Sequence, residues 1–363
     1  MKQTPLKAWH VSHGASLVDF GGWDMPVSYG PIGPEHLATR NEAGLFDIGH
    51  MGQILVSGPR ALDYLQALTT NDVSRLGDGR MQYSLLPNEG GGLYDDIIVT
   101  RLSPQLYYVV VNASNTVTDL AWMLSRSGAF GVSVELWKGR TLLALQGPQA
   151  QSLLQPLVST PLDALAYYHL REDRVCGVEA LVSRSGYTGE DGFEISLPEE
   201  SVEKVWLTIL ASGRVRPVGL GARNTLRLEA AYPLYGHEID ADHSPYEAGL
   251  GWVIKPDKGG FTGKAAMLAA KAAPARRLAG FRLLDKGVAR DGYAVVDAAG
   301  QSIGQVTSGA PSPSLDNACI GLAYVPPSLA VPGGRINIDV RGRSLAAEVV
   351  KTPFVPSKVR KNS

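Results

Sequence analysis

Two adjacent aspartates stand in the apolar segment 93–102, directly after the three glycines 90–92. Glycine reaches positive φ without a Cβ clash, so the glycines predict a sharp reversal, and the β-branched run after them predicts a strand. Side chains alternate along a strand, so Asp95 and Asp96 point to opposite faces. At least one carboxylate therefore faces an apolar surface, where an ionised group is costly unless it is paired. Such an aspartate either caps the turn or serves a site as a general acid or base.

A second set of candidates surrounds the glycine-rich segment 183–195. Its glycines recur every third residue, which differs from the dinucleotide-binding fingerprint, and no Gly-Lys-Ser/Thr follows as in a phosphate-binding loop. The segment therefore predicts a loop that places Tyr187 and Glu194. Further on, Arg223 and Arg227 lie one turn apart on a predicted helix. Such a pair is either ion-paired or a clamp for a carboxylate.

Two single residues are more ambiguous. Asn112 ends a predicted strand, where it is either a turn residue or a polar contact in a cleft. His50 could be a base, but we interpret this lone histidine as a structural hydrogen-bonding residue. A helix capped by Ser114 or Asn115 follows the Asn112 strand. The apolar residues that share one face of this helix are Val117, Leu120, Ala121 and Leu124.

The elements that carry these residues show an internal repeat. The order strand, Gly-Pro, helix begins at residue 54 and again at residue 142. Proline suits the first helical turn, because its missing N–H would be unpaired there. The two copies predict related halves, with the Asp95-Asp96 strand between them.

The sequence pattern changes after residues 271–277, which have the composition of a linker. Short predicted strands then alternate with Gly, Pro and Asp-Asn turns, which predicts a small all-β barrel or sandwich. These strands span 278–283, 294–296, 303–307, 320–325, 336–340 and 346–350. We therefore expect two interleaved α+β domains in residues 1–270 and a β domain in residues 278–363.

Composition limits the classes of function. A chain of 363 residues exceeds the size of a single core, and 44% apolar with 19% charged residues describes an ordinary globular protein. A formal net charge of −1 argues against a nucleic-acid binder, and no apolar run reaches the ~20 residues of a membrane span. Cys176 and Cys319 match no metal-ligand spacing and predict free thiols. Without a secretory or transit signal, a cytoplasmic or mature organellar location is expected.

Taken together, the motifs resemble the aminomethyltransferase (T-protein) family of the glycine cleavage system over nearly the whole chain. The matching motifs are VDFGGW at 18–23, HMG at 50–52, GGLYDD at 91–96, SGYTGEDGFE at 185–194, GLGAR at 219–223 and KTPFV at 351–355. The resemblance implies an α+β fold, a three-part cloverleaf with folate in a central channel and a C-terminal β-barrel.

The resemblance also implies the reaction. A one-carbon unit passes from the aminomethyl-dihydrolipoyl arm of a carrier, the H-protein, to tetrahydrofolate. The products are 5,10-methylenetetrahydrofolate, ammonia and dihydrolipoyl H-protein. Tetrahydrofolate is a co-substrate, and the chemistry requires no metal and no nucleotide.

The implied catalytic residue is Asp96, the second of the aspartate pair. Arg360 is implied as a tail contact, because Val359 stands where other members carry a tyrosine. The implied folate-binding residues are Tyr83, Asn112, Tyr167, Tyr187, Glu194, Arg223, Tyr232 and Trp252.

The residue types fit this chemistry. A glutamate such as Glu194 can accept the N–H groups of a pterin while tyrosines pack its faces, and the anionic folate tail gives Arg223 a partner. A carboxylate at Asp96 can orient a folate nitrogen and accept its proton. The alternatives are a folate-dependent demethylase of the same fold and a non-enzymatic folate-binding protein. A flavin-linked oxidase is disfavoured, because no fused nucleotide-binding domain is present.

Overall fold

The structure is a computed structural model that describes residues 1–360, which form helices α1–α8 and strands β1–β20. The helices are α1 (Lys7–Ser12), α2 (Ile32–Asn41), α3 (Ala61–Leu68), α4 (Thr116–Ser127), α5 (Ala150–Leu154), α6 (Val202–Leu210), α7 (Leu220–Glu229) and α8 (Lys264–Ala272). The strands up to the linker are β1 (Lys2–Gln3), β2 (Ser16–Phe20), β3 (Trp23–Ser28), β4 (Gly44–Asp47), β5 (Gly52–Ser57), β6 (Met81–Pro87), β7 (Leu93–Ser103), β8 (Leu106–Val111), β9 (Ser133–Leu136), β10 (Arg140–Gln146), β11 (Leu170–Val175), β12 (Val178–Ser183), β13 (Gly192–Pro198) and β14 (Arg216–Val218). The strands after it are β15 (Arg277–Leu283), β16 (Ala294–Val296), β17 (Ser302–Ser312), β18 (Ala318–Val325), β19 (Arg335–Val340) and β20 (Arg343–Val350).

The two aspartates lie on β7, inside a five-stranded antiparallel sheet with the order β6-β7-β8-β5-β9. Burial alternates along β7 as predicted. Asp95 is fully buried, whereas Asp96 on the opposite face keeps some accessible surface. The predicted reversal is also confirmed, since Gly91 has φ +87° and the amide of Asn88 donates to the Gly92 carbonyl at 2.9 Å.

A second sheet carries Glu194 and has six strands in the order β11-β12-β13-β10-β4-β14. Glu194 on β13 stands opposite Ala144 on β10. Strand β4 belongs to this sheet although it precedes the whole five-stranded sheet in sequence, and it pairs with β10 and with β14. The two sheets are therefore interleaved along the chain.

The repeated order of strand, Gly-Pro and helix is confirmed at both places. Strand β5 leads through Gly58 into α3, and β10 leads through Gly147 into α5. Both glycines have positive φ, +137° and +128°. A Cβ on Gly147 would lie 2.5 Å from the Glu42 carbonyl oxygen, so this tight turn requires glycine.

All six strands predicted after the linker exist, and they close into a barrel in the order β15-β18-β17-β16-β19-β20. The sequence left a barrel and a sandwich open, and the barrel is correct. Its core is formed by fully buried side chains that include Phe281, Val295, Val306, Ile338 and Ala347.

The predicted apolar face of α4 is confirmed at Leu120, which packs against the core, and is wrong at its other three residues. Val117 and Leu124 are 69% and 48% exposed, whereas Asp119 and Met123 are buried. The helix begins after Asn115, whose side chain bonds to Asp95 at 2.7 Å instead of capping the helix. This contact rotates α4 so that a carboxyl group faces the sheet.

A buried ionic cluster joins α2, α7 and the barrel. Glu229, at the end of α7, accepts from Arg40 Nη2 at 2.8 Å and lies 3.2 Å from His36 Nε2, and both partners are on α2. Ser312 and Ser314 donate to the same carboxylate from the barrel side. The backbone amide of Phe354 also donates to the Glu229 carbonyl at 2.9 Å. Within residues 1–360, no helix has both the length and the apolarity needed to cross a membrane.

Candidate active site

Asp95 and Asp96 meet one shared donor, Asn112, which follows β8. The Nδ2 atom of Asn112 lies 2.8 Å from Oδ1 of each aspartate, and its backbone amide donates to Asp95 Oδ2 at 2.8 Å. Strand β8 pairs with β7, so this contact is a direct result of the sheet register. Asn112 therefore fixes the orientation of both carboxyl groups.

The electrostatic environment sets Asp96 apart from an ordinary carboxylate. Burial and the neighbouring charge of Asp95 raise its pKa to about 7, although hydrogen bonds from Tyr83 and Asn112 work in the opposite direction. The Tyr83 hydroxyl donates to Asp96 Oδ2 at 3.0 Å. A carboxyl group with this pKa can both accept and return a proton near neutral pH.

Tyr83 and Trp252 form an aromatic surface beside Asp96. Their rings are stacked at 5.9 Å with an interplanar angle of 22°. Trp252 is 61% exposed, so one face of the indole is open to a ligand. Large exposed aromatic side chains supply flat apolar contact area.

Glu194 presents a carboxylate with an unused oxygen. Ser185 donates to Oε2 at 2.6 Å, and within residues 1–360 no donor reaches Oε1. Burial raises the pKa of Glu194, while Ser185 and Arg223 lower it. The free oxygen can accept an N–H group from a ligand.

The two arginines of α7 have different roles. Arg227 is buried and pairs with Glu238 at 2.8 Å, so it is a structural residue. The guanidinium of Arg223 stacks over the Tyr187 ring at 4.3 Å and makes no hydrogen bond or ion pair to any residue in 1–360. A planar cation with all its donors free is suited to bind oxygen acceptors of a ligand. The clamp interpretation therefore applies to Arg223 alone.

The remaining predicted tyrosines lie next to one another, beginning with Tyr187, which contacts Arg223. The rings of Tyr187 and Tyr232 lie 5.8 Å apart, and the Tyr187 hydroxyl donates to the Pro233 carbonyl. Tyr232 in turn interacts with Tyr167. Charge interactions link Arg223 to both Asp96 and Glu194. The structure thus brings the predicted residues together, from Trp252 and Tyr83 at one end to Tyr167 at the other.

A small cavity adjoins Asn112 and Arg223. It has a volume of about 40 Å³. Its lining consists of Phe20, His50, Met51, Asn112, Ala113, Ser114, Arg223, Leu234 and Tyr235.

His50 in this cavity is 1% exposed, and neither ring nitrogen has a partner among the described residues. Burial and the charge of Arg223 lower its pKa to about 3, so the imidazole is neutral. The interpretation of His50 as a structural hydrogen-bonding residue is corrected by this geometry.

A larger cleft of about 550 Å³ lies between the segment after Gly236 and the barrel, with Tyr324 in its wall. None of the predicted site residues lines this cleft. We therefore assign the candidate site to the region around Asp96, where the predicted catalytic and binding residues lie. Across residues 1–360, no three His, Cys, Asp or Glu side chains are grouped as metal ligands.

Comparison with known proteins identifies the family. Residues 6–258 match the GCVT N-terminal domain, and residues 276–356 match the glycine cleavage T-protein C-terminal barrel domain. Aminomethyltransferases of Chloroherpeton thalassium and Desulfitobacterium hafniense are each 45% identical over 359 residues. The alignment covers 98% of this chain in both cases, with 99% and 98% of the relatives. The chain belongs to the glycine cleavage T-protein family.

A solved T-protein structure agrees over the same extent. The glycine cleavage system aminomethyltransferase T from Bartonella henselae superposes with a TM-score of 0.94 at 38% identity, covering 98% of this chain and 99% of that one. The α+β fold with a C-terminal barrel is therefore confirmed.

The C-terminal segment of this T-protein family member runs along the glycine-rich loop. The Lys358 amide donates to the Gly189 carbonyl at 2.8 Å, and Lys358 Nζ lies 3.3 Å from Glu190. Arg360 lies 2.9 Å from Asp163 Oδ1 on the surface. Its role as a tail contact stays a prediction.

Sequence reasoning missed three residues at this T-protein site. Tyr168, next to Tyr167, has φ +60° and interacts electrostatically with Glu194 and Asp96. Asp119 was not singled out from the sequence, and His50 was interpreted as a structural residue. The signal for Tyr168 was the Tyr-Tyr pair itself, whereas the surroundings of Asp119 and His50 depend on tertiary packing.

Proposed function

We propose that this chain is the aminomethyltransferase of a glycine cleavage system. It moves the one-carbon unit of aminomethyl-dihydrolipoyl H-protein to tetrahydrofolate, its co-substrate. The observation that carries the proposal is the arrangement around the Asp96 carboxyl, which accepts hydrogen bonds from Tyr83 and Asn112. The same site contains Glu194 and Arg223, and each of these has hydrogen-bonding atoms that are free for a ligand.

Folate binding follows from those free atoms. The open Oε1 of Glu194 accepts the N–H groups of the pterin, as expected for a buried acceptor beside a donor-rich ring. Arg223 donates to anionic or carbonyl oxygens of folate, for which the anionic tail is the expected partner. The aromatic surfaces that pack against the flat parts of folate are Tyr83, Tyr167, Tyr187, Tyr232 and Trp252.

Asp96 supplies the proton transfers. A folate nitrogen attacks the aminomethyl carbon as its C–N bond breaks and ammonia leaves, and the second folate nitrogen then displaces sulfur. The two protons lost by the folate nitrogens end on ammonia and on the dihydrolipoyl thiol, so the reaction needs no oxidant. Asp96 accepts a proton from the attacking nitrogen and stabilises the cationic carbon during the transfer.

The assignment implies one macromolecular partner, a lipoylated H-protein, and a cytoplasmic location. We also propose that residues 1–270 supply the folate site and that residues 278–363 form a separate domain, with Arg360 contributing at the tail. Support for the division comes from the closed barrel that begins at Arg277.

The decisive experiment measures ammonia release from aminomethylated H-protein with and without tetrahydrofolate. Release that depends on folate, with methylenetetrahydrofolate formed in equal amount, is expected. Asp96→Asn keeps the shape of the site but cannot accept the proton, so turnover should fall about 10²–10⁴-fold with folate affinity retained. Tight folate binding without release would favour a demethylase or a non-enzymatic folate-binding protein, and normal turnover of the variant would remove Asp96 from the mechanism.

A further inference from the structure

A third carboxyl group lies behind the aspartate pair. Asp119, in the first turn of α4, is fully buried, and its interaction is with the carboxyl of Asp95. Both Asp119 oxygens are buried, and no N–H or O–H donor among residues 1–360 reaches either of them. A buried carboxylate that accepts no hydrogen bond and faces another carboxylate is strongly unfavourable. One of the two groups must therefore carry a proton.

The surrounding donors decide which group carries it. Asp95 accepts hydrogen bonds from the Asn112 amide, Asn112 Nδ2 and Asn115 Nδ2 at 2.8, 2.8 and 2.7 Å. Burial raises the pKa of Asp95, whereas these three N–H donors and the carboxyl of Asp119 oppose that rise and favour its ionised form. Asp119 has no such donors, so the proton belongs on Asp119, which then donates to Asp95. In agreement, burial and the charge of Asp95 raise the pKa of Asp119 to about 10.

The charge on Asp95 has a consequence on the other face of the sheet. Asn112 Nδ2 bridges Asp95 and Asp96 at 2.8 Å each, so the carboxyl groups of these adjacent residues share one donor. After burial, the charge of Asp95 is the largest cause that raises the pKa of Asp96. If Asp95 were neutral, Asp96 would be a weaker base.

We propose that Asp119 is a positioning residue: its protonated carboxyl donates a hydrogen bond to Asp95, holds Asp95 as an anion beside Asn112, and so sets the protonation of Asp96. The proposal rests on the function proposed above, because it concerns the base of that same reaction. Asp119 itself does not touch the reacting atoms.

Other ionisable groups face Asp96 and stay in place when residue 119 is changed. Tyr83 donates to Asp96, and the remaining groups interact with it through charge. These are Tyr168, Tyr187, Tyr235 and Arg223. A comparison of two variants at position 119 therefore isolates the contribution of that position.

The test compares Asp119→Leu with Asp119→Asn in the full chain, using the pH profile of turnover. Leucine removes one of the four donors to Asp95 and leaves the effect of burial less opposed, so the pKa of Asp95 rises and its negative charge beside Asp96 is reduced. The acid limb of the profile should then move to lower pH by about one unit or more, and the plateau should fall, since a nearby like charge shifts a carboxyl pKa by about that amount. Asparagine has nearly the same shape, and its amide donates to Asp95 as the protonated acid does. It should restore the wild-type limb and most of the lost turnover.

Two outcomes overturn the proposal. An acid limb that stays in place in Asp119→Leu, whatever its melting temperature, would show a purely structural role. An asparagine variant with the same profile as the leucine variant would show that Asp119 does not act as a donor.

A second readout does not depend on activity. Carbon NMR of protein labelled with ¹³C-carboxyl aspartate identifies the Asp119 signal as the one that is missing in Asp119→Asn. In wild type this signal should have the chemical shift of a protonated acid from pH 6 to 9. A shift typical of a carboxylate would also overturn the proposal. Failure of the proposed function would appear separately, as a wild-type protein that releases no ammonia.

Discussion

Asp96 combines two properties that oppose each other. Its carboxyl group is held by Tyr83 and Asn112 beside the charged Asp95, which makes it a usable base near neutral pH. The same placement is unfavourable for the folded state, because burial and a like charge penalise the ionised form.

This opposition gives a pH-dependent prediction for stability. The pKa of Asp96 rises from 3.8 to about 7 on folding, so between these values the unfolded chain has lost the proton while the folded chain keeps it. Raising the pH through this window therefore destabilises wild type, with no further change above pH 7. Asparagine has no proton to lose, so Asp96→Asn keeps its stability as the pH rises. The variant should be more stable than wild type by about 2–4 kcal/mol at pH 8, since each pKa unit corresponds to about 1.4 kcal/mol.

Urea unfolding of both proteins at pH 4 and pH 8 checks this prediction. The advantage of the variant should appear at pH 8 and almost vanish at pH 4. An equal difference at both pH values would mean that the charge of Asp96 does not explain it.

Arg223 gives a second prediction, because its guanidinium stacks on the Tyr187 ring and has no hydrogen-bond or ion-pair partner among the described residues. Arg223→Ala should weaken tetrahydrofolate binding about 10–100-fold, the range expected when hydrogen bonds from a charged donor are lost. Turnover of the saturated complex should change much less.

The control is Arg174→Ala, which removes an arginine from an exposed pair with Glu179. Fluorescence titration with tetrahydrofolate gives the affinities of all three proteins. Equal affinity in wild type and Arg223→Ala would exclude Arg223 from folate binding.

At the scale of elements, the hairpin that leads into β7 is held by a close backbone approach. A Cβ on Gly92 would lie 1.8 Å from the Ala241 carbonyl oxygen, and the neighbouring Leu93 amide donates to the Asp240 carbonyl at 2.8 Å. Because the obstacle is backbone, it cannot move without separating the segment 240–241 from the hairpin.

Gly92→Ala should therefore destabilise the protein by about 1–3 kcal/mol, as expected for overpacking, and reduce turnover by displacing the start of β7. Gly90→Ala is the matched control, because its Cβ would meet only the Asn88 side chain at 3.3 Å in an exposed turn. Melting temperatures and turnover of both variants check the prediction. Similar losses in the two variants would contradict it.

The success of sequence reasoning differed between elements for physical reasons. Turn residues and alternation predicted β7 and the six barrel strands, since both signals are local. The inward face of α4 could not be predicted, because Asp119 and Asn115 turn towards Asp95, a contact made by tertiary structure. Patterns in the sequence singled out Glu194 and Arg223 as candidates, but only the family resemblance assigned them to folate, because alone each of them also fits an ordinary surface position.

At the scale of the whole molecule, Glu229 links the first region of the chain to the barrel. Burial alone would raise its pKa, but hydrogen bonds from His36 and Ser312 and the charge of Arg40 lower it to about 2. The carboxylate is therefore ionised at all ordinary pH values, and its partners are His36 and Arg40 on α2 and Ser312 and Ser314 on the barrel side.

Glu229→Gln should destabilise the protein by about 3–5 kcal/mol, because it leaves the Arg40 charge buried with less compensation. Glu179→Gln, at an exposed pair with Arg174, should change stability little. Chemical denaturation followed by tryptophan fluorescence measures both. A comparable loss in the two variants would show that the cluster does not hold the barrel against α2 and α7.

The interleaving of the sheets also affects how the protein is made. Strand β4 leaves the ribosome with no partner, since β10 and β14 lie much further along the chain. Roughly 100 residues lie between β4 and β10, its first partner in the chain. At a synthesis rate of about 5–20 residues per second, β4 waits about 5–20 s for this partner, and β5–β9 can pair among themselves during that time. A nascent chain of this length therefore exposes an apolar strand edge, and it is at this stage of synthesis that a chaperone would be needed.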